Sequence, residues 1–240
     1  MEYRLTRYLA ALPDTFFPVE RFQQHTESGM VKFFNKGSLV LRPGEATSAL
    51  IYVISGKVRV NKMIDDGRER LAYYAGQHGI IGRLYETCND IYIIALEDSE
   101  VCFFTQLQLK EIFRRDEDLI FDLLRNYLSK VSYFIKQSTE IDYFNPTIRV
   151  VRLLYELLLT SGVRVESFFE IPTQLSLTDI SEITGAHYVT VSKVFGHLKK
   201  QHIAERKKHK IIIYDMEKLK RLTQETQILK MRDFGNFLEY

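Results

Sequence analysis

The sequence predicts an α+β chain: a β-rich first half folded as a sandwich or barrel, one long helix, and a small helical domain that ends in a basic hairpin. Three observations carry this prediction. From residue 30 to 105, β-branched and aromatic runs alternate with turn residues such as NKG, RPGE, DDG and GQHG, the pattern of short strands joined by tight turns. From residue 116, apolar residues recur at alternating spacings of four and three, the period of a long helix with a seam. From residue 176, a capped helix, a glycine and a second helix follow in close order, with a lysine-rich stretch after them.

At 240 residues the chain can bury two cores. Its net charge of +2 is nearly neutral, so a nucleic-acid partner must be argued from where the charges lie. Lys193, Lys199, Lys200, Arg206, Lys207, Lys208 and Lys210 cluster with Glu205 as the only acid among them, a local basic patch. Two cysteines, Cys88 and Cys102, argue against a disulfide-stapled secreted fold and against a thiolate cluster. The N-terminal stretch has no signal-peptide apolar run and no segment has the length of an uncharged membrane span. A cytoplasmic protein with no membrane partner is expected.

The strand runs are VKFF, SLVLR, LIYVISGKVRVNKMI, ERLAYYA and IYIIALEDSEVCFF. Asp66-Gly67 supplies the positive φ of a hairpin between two of them. In the long helix, Ile120, Leu124, Tyr127, Val131, Phe134, Ser138 and Ile141 form the seam of a parallel dimer, and Leu123, Leu128 and Ile135 offer a second apolar flank for the β domain. Asn145-Pro146 ends that helix and opens the next, because proline is tolerated in a first turn and not in an interior, and this junction is the expected hinge. The expected units are a β domain over 1–115, a dimerisation helix over 116–144, a DNA-binding domain over 145–222 and a tail over 223–240.

Ser176 and Asp179 make a capping box for a helix that stops at Gly185, and GAHYVTVSKVFGHLKK begins the second helix at once. Val191, Val194, Phe195 and Leu198 take its inner side. Tyr188, Val189, Ser192, Lys193 and Lys200 are left outward, with His187 and Thr190 beside them. That is the arrangement of a helix-turn-helix, whose second helix presents its first residues to base edges in the major groove. QHIAERKKHKIIIYDM after it reads as a wing whose lysines meet phosphates.

This order of parts resembles the cyclic-AMP receptor and fumarate/nitrate-reduction regulator family, with KGSLVLRPGE at 36–45, Gly56 to Val58, Gly76, Gly82 and LSLTDISEITGAHYVTVSKVFGHLKK as the matching residues. Within that family the chain is similar to the halorespiration regulators that sense chlorinated phenols, through YYAG at 73–76, NYLSKV at 126–131, NPTIR at 145–149, ITGAHYVTVSKV at 183–194 and KIIIYD at 210–215. The resemblance implies an N-terminal β-roll like a cyclic-nucleotide-binding jelly roll, a long dimerisation helix and a C-terminal winged helix-turn-helix. It implies a homodimeric transcription activator with palindromic double-stranded DNA, RNA polymerase and a small aromatic effector as partners, and no enzyme activity.

Departures from the wider family narrow the signal. Cyclic-nucleotide readers carry a Glu and an Arg-Ser pair about the nucleotide, where GRLYETCNDIY here offers Arg83 and Asn89-Asp90. A phosphodiester would lose its main cation and meet a carboxylate. Two cysteines do not supply the ligands of an iron–sulfur cluster. By resemblance Tyr73, Gly82, Arg83, Thr87, Asn89, Tyr127 and Lys130 line the effector pocket, which points to an ortho-chlorinated hydroxyphenyl acid. Lys130, desolvated beside Val131 in the seam, favours an anion. An ortho halogen brings phenol ionisation from near pH 10 towards neutrality, so the halogenated ligand arrives as phenolate. Arg83, Thr87 and Asn89 would hold its carboxylate, Arg83 in bidentate fashion.

Val189 stands where many relatives carry a Glu that accepts from cytosine. Valine instead suits a thymine methyl, which favours an AT-rich half-site of the TTAAT type. Other readings stay open: a different small ligand, haem with His78 as an axial ligand, a ligand-independent DNA-binding dimer, or a metal enzyme of cupin type. The last needs converging His and carboxylate ligands, and the β region offers little beyond His25 and His78. No metal or bound cofactor is expected.

Overall fold

A computed structural model describes residues 12–45, 47–64, 67, 69–82 and 91–225. These fall into two compact units that meet in sequence between Tyr133 and Phe134. Each is built from the local signals of its own stretch.

The first unit is a sandwich of two antiparallel sheets. Strands β1 (Met30–Phe34), β8 (Ser99–Phe104), β3 (Leu50–Ser55) and β6 (Ile80–Ile81) form one; β2 (Leu39–Leu41), β7 (Ile91–Ala95), β4 (Val58–Met63) and β5 (Glu69–Ala75) form the other. Val53, Val58, Val60, Ile93 and Val101 interdigitate between them. The hairpin predicted from Gly67 joins β4 to β5 with Met63 opposite Glu69, and Gly67 has φ 82°; Asp65 and Asp66 lie outside the described residues. Outside the first sheet, a 3-10 helix (Glu20–Ser28), α1 (Gln106–Arg115) and the start of α2 (Asp118–Tyr143) bury Phe22, Leu109, Ile112, Leu119 and Leu123 against Tyr52, Ile80 and Phe104.

Two details differ from the sequence reading. Helix starts at Gln106, ten residues before the predicted change of period, because Thr105 and Gln108 make a reciprocal capping box directly after the last strand. The inward face of α2 matches the predicted flank only at Leu123. Leu119, Leu123, Asn126, Lys130 and Tyr133 are buried, while Leu128 and Ile135 are 62% and 63% exposed. Of the predicted seam, Ile120, Leu124, Val131, Phe134 and Ile141 are 39 to 51% exposed in the single chain, whereas Tyr127 packs against the sandwich core. Two polar residues occupy the inner stripe, so beyond Leu123 a hydropathy pattern points to the wrong flank.

The second unit holds α3 (Pro146–Ser161), the hairpin β9 (Val163–Val165) and β10 (Phe168–Pro172), α4 (Leu177–Thr184), α5 (Tyr188–Lys200), the wing strands β11 (Ala204–Lys207) and β12 (Lys210–Ile213), and α6 (Met216–Leu222). The four strands form one sheet in the order β11-β12-β10-β9. Asn145 caps α3 by accepting from the backbone of Thr147 and Ile148, with Pro146 in the first turn, as predicted. Ser176 and Asp179 close the expected capping box on α4, and Gly185 terminates it in the left-handed region at φ 61°.

Gly56, in the tight link between β3 and β4, has φ 83°, and a Cβ there would lie 2.3 Å from Ser99 Oγ and 2.6 Å from the Asp98 carbonyl. Conformational strain and overlap act together, so Gly56→Ala should destabilise the first unit by at least about 2 kcal/mol. Denaturant melts check this; an unchanged midpoint contradicts the packing at this turn.

Candidate functional site

Lys130 is the most unusual side chain of the first unit. It is 6% exposed on the inner face of α2, turned away from the solvent-facing Val131 beside which the sequence reading placed it. Its Nζ donates to the Ile80 carbonyl at 2.5 Å. Three ring faces surround it, with Nζ 4.7 Å from the centroid of Tyr73, 5.4 Å from Tyr127 and 5.7 Å from Phe16. It has no carboxylate partner among the described residues. Burial therefore pushes its ammonium from the ordinary 10.5 down to about 7.

The other predicted effector residues divide into two groups. Tyr73 and Tyr127 flank Lys130, and the Tyr127 hydroxyl donates to the Gly82 carbonyl at 2.9 Å, so four of the seven come together. Arg83, Thr87 and Asn89 lie outside the described residues, as does Cys88. Phe16 was not foreseen, and no periodicity in the N-terminal stretch points to it. Tyr133 also packs here, edge-on to Phe16 with its hydroxyl held above the usual range by burial.

The histidines considered for haem or metal have structural partners. His78 Nδ1 lies 2.7 Å from the Tyr52 hydroxyl, and His25 Nε2 lies 3.3 Å from Asp116. No group of three metal-ligating side chains occurs among the described residues. Cys102 is buried, which raises its thiol to about 11.

In the second unit, Val191, Val194, Phe195 and Leu198 are buried as predicted. On the other side, Tyr188 and Val189 are about half exposed, Ser192 is exposed and Lys193 is partly so. Val189, Ser192 and Lys193 share one face by their three and four spacing. His187 caps α5, its Nδ1 accepting from the Val189 backbone at 3.2 Å, and Thr190 is half-buried behind it. Lys200 is exposed at the far end, about 18 Å along the axis from Tyr188 at 1.5 Å per residue. Such a distance suits a phosphate contact better than a base contact. Arg149 holds the turn before α5: its guanidinium donates to the carbonyls of Thr184 and Gly185 at 2.8 and 3.1 Å, and to that of Phe144 at 3.0 Å.

A β-sandwich followed by a long helix and a winged helix-turn-helix defines a DNA-binding transcription regulator with an N-terminal sensor domain. The Crp-like helix-turn-helix domain family matches residues 148–222, and the cyclic nucleotide-binding domain family matches residues 31–116. The chain belongs to the cyclic-AMP receptor and Fnr family of transcription regulators. It is 45% identical to a cysteine-to-serine variant of CprK solved in complex with OCPA, covering 89% of this chain and 98% of that one with a TM-score of 0.86. Oxidized CprK in complex with o-chlorophenolacetic acid is 44% identical over 90% of this chain and 92% of that one, with a TM-score of 0.53. The cAMP-activated global transcriptional regulator CRP of Pasteurella multocida (strain Pm70) is 21% identical over 188 residues, 76% of this chain and 88% of that protein. No described helix is long and apolar enough to cross a membrane.

The burial of Lys130 has a signed consequence for stability. The unfolded chain protonates this amine below pH 10.5, and the folded chain only below about 7. Relative to Lys130→Met, the wild type should therefore lose stability as pH falls from 10.5 to 7, by several kcal/mol at about 1.4 kcal/mol per unit, with no further change below 7. Denaturant melts of both proteins at the two ends of that window measure it. A gap that does not change with pH contradicts the assignment.

Proposed function

We propose that this chain is a dimeric activator whose first unit binds an ortho-halogenated hydroxyphenyl acid as its phenolate and whose recognition helix reads an AT-rich palindrome. The observation that carries the effector reading is a buried lysine amine with ring faces and a carbonyl about it and no carboxylate in ion-pair contact among the described residues. A phenolate supplies the missing countercharge, and the aromatic walls suit its ring. CprK, 44% identical in its o-chlorophenolacetic acid complex, supports the same ligand class here.

In this reading Lys130 and Tyr127 take the phenolate oxygen, Tyr73 and Gly82 bound the ring, and Arg83, Thr87 and Asn89 take the carboxylate. An amine that titrates near neutrality accepts a proton as the anion arrives, which favours an acidic, halogenated phenol over its dehalogenated product. Cyclic AMP fits the same residues poorly, because its phosphate would meet Asn89-Asp90 in place of Arg-Ser. The exposed seam of α2 is the dimer surface: heptad-spaced apolar residues 39 to 51% exposed in one chain are covered by the same residues of a second. The protein works in the cytoplasm beside RNA polymerase. His187, Tyr188, Val189, Thr190, Ser192 and Lys193 face the major groove, with Lys200 on the backbone.

Fluorescence anisotropy on a TTAAT…ATTAA duplex, at fixed salt, tests both halves. Ortho-chlorinated hydroxyphenylacetate should tighten binding about tenfold or more, a coupling of roughly 1.4 kcal/mol, and the dechlorinated acid should not. Equal affinity with and without the chlorinated acid contradicts the effector assignment. Val189→Glu should move the preference at one position of each half-site towards a C·G pair; an unchanged preference contradicts the placement of Val189 against the bases.

A further inference from the structure

We infer that the N-terminal strap, residues 12–19, forms the wall of the effector site that selects the substituent ortho to the hydroxyl, with Phe16 as its specificity-determining residue. This inference rests on the phenolate reading above. The strap is tied to both elements that flank Lys130. On the sandwich side, Tyr74 N donates to the Pro13 carbonyl at 2.8 Å, Val19 N donates to that of His78 at 2.9 Å, and Lys57 pairs with Asp14 at 2.7 Å. On the helix side, Phe17 N donates to Ser129 Oγ at 3.1 Å and Asn126 Nδ2 donates to the Phe17 carbonyl at 2.5 Å. Between these anchors Phe16 points its ring to the pocket, with centroids 5.7 Å from those of Tyr73 and Tyr133, both edge-on.

The chemistry of an ortho substituent does the rest. It sits on the carbon next to the one that carries the oxygen, so a phenolate oxygen held at Lys130 Nζ brings the halogen into the immediate surroundings of that amine. Of the three rings there, Tyr73 and Tyr127 carry hydroxyls, and Phe16 is wholly apolar. Beside it a cavity of about 70 Å³ is lined by the apolar Phe16, Pro18 and Ile80 and by the polar Asp14, Gln77, Asn126 and Lys130. A carbon-bound halogen, apolar and polarisable, matches Phe16 and Pro18. Against those two residues a hydroxyl or a second charge would lose its hydrogen bonds to water.

The test compares ortho-chloro with ortho-iodo hydroxyphenylacetate, two ligands of similar electron withdrawal and different size, by calorimetric titration of the full-length protein. Phe16→Leu should raise the iodo-to-chloro affinity ratio about fourfold or more, the worth of a methylene-sized volume, and Phe16→Tyr, whose hydroxyl takes up part of the same space, should not raise it. Thermal melts report folding. Should Phe16→Leu not fold, Pro18→Ala opens the same wall and should move the ratio in the same direction. An equal loss of both affinities with the ratio unchanged overturns the inference while the wild type still binds. A wild type that binds neither ligand overturns the effector reading itself, and this inference with it.

Discussion

The whole sensor unit is organised around one buried amine. Placing Lys130 on the inner stripe of α2 takes an amine out of water with no carboxylate partner among the described residues, a loss that the Ile80 carbonyl and the ring faces of Phe16, Tyr73 and Tyr127 offset only in part. Three structural features answer to that placement. The Ile80 carbonyl comes from the short strand β6, whose backbone is oriented by pairing with Tyr52 in β3. The strap is stitched to α2 through Asn126, four residues before Lys130, so the polar residue next along the stripe also has a structural task. The rings of Phe16 and Tyr73 are fixed against each other edge-on, which leaves them little freedom to move away when an anion enters.

The DNA-reading unit follows a different logic, one of fixed corners. Arg152 grips Glu140 with two nitrogens and lies over the Phe144 ring at 4.0 Å, and Lys136 pairs with Glu156, so the last turns of α2 and the body of α3 are braced together. Arg149 extends that brace to the turn at Gly185. The Asn145-Pro146 corner, which in sequence reads as a hinge, is therefore braced inside this unit. The start of the recognition helix is carried by the same guanidinium that bonds the end of α2. His187, which also caps that helix, fixes the direction in which Tyr188 and Val189 emerge.

What the sequence revealed was mostly local. Strands bounded by Gly and Pro, the capping boxes at Ser176, the Asn145-Pro146 start and the left-handed Gly185 are each set by residues within a few positions, and each appears where expected. Long-range choices were harder to read. Two stripes of identical four and three spacing run side by side on α2, and the inward one contains Asn126 and Lys130, so apolar count alone favoured Leu128 and Ile135. Nothing within the neighbourhood of Phe16 tells that its contacts lie more than fifty residues away, on β5 and α2. Resemblance brought Tyr73, Gly82, Tyr127 and Lys130 together; the burial of Lys130 and the ring faces about it needed the fold.

The central claim is that burial lowers the Lys130 amine to about 7, so that above neutrality it gains a proton as an anion arrives. Calorimetric titration with ortho-chlorinated hydroxyphenylacetate at about pH 9.5, in buffers of different ionisation enthalpy, counts the protons exchanged on binding. At that pH an ortho-chlorinated phenol is mostly phenolate, and Lys130 is neutral. Uptake of close to one proton per site, abolished in Lys130→Met, is the predicted result. Binding with no proton uptake in the wild type would contradict it.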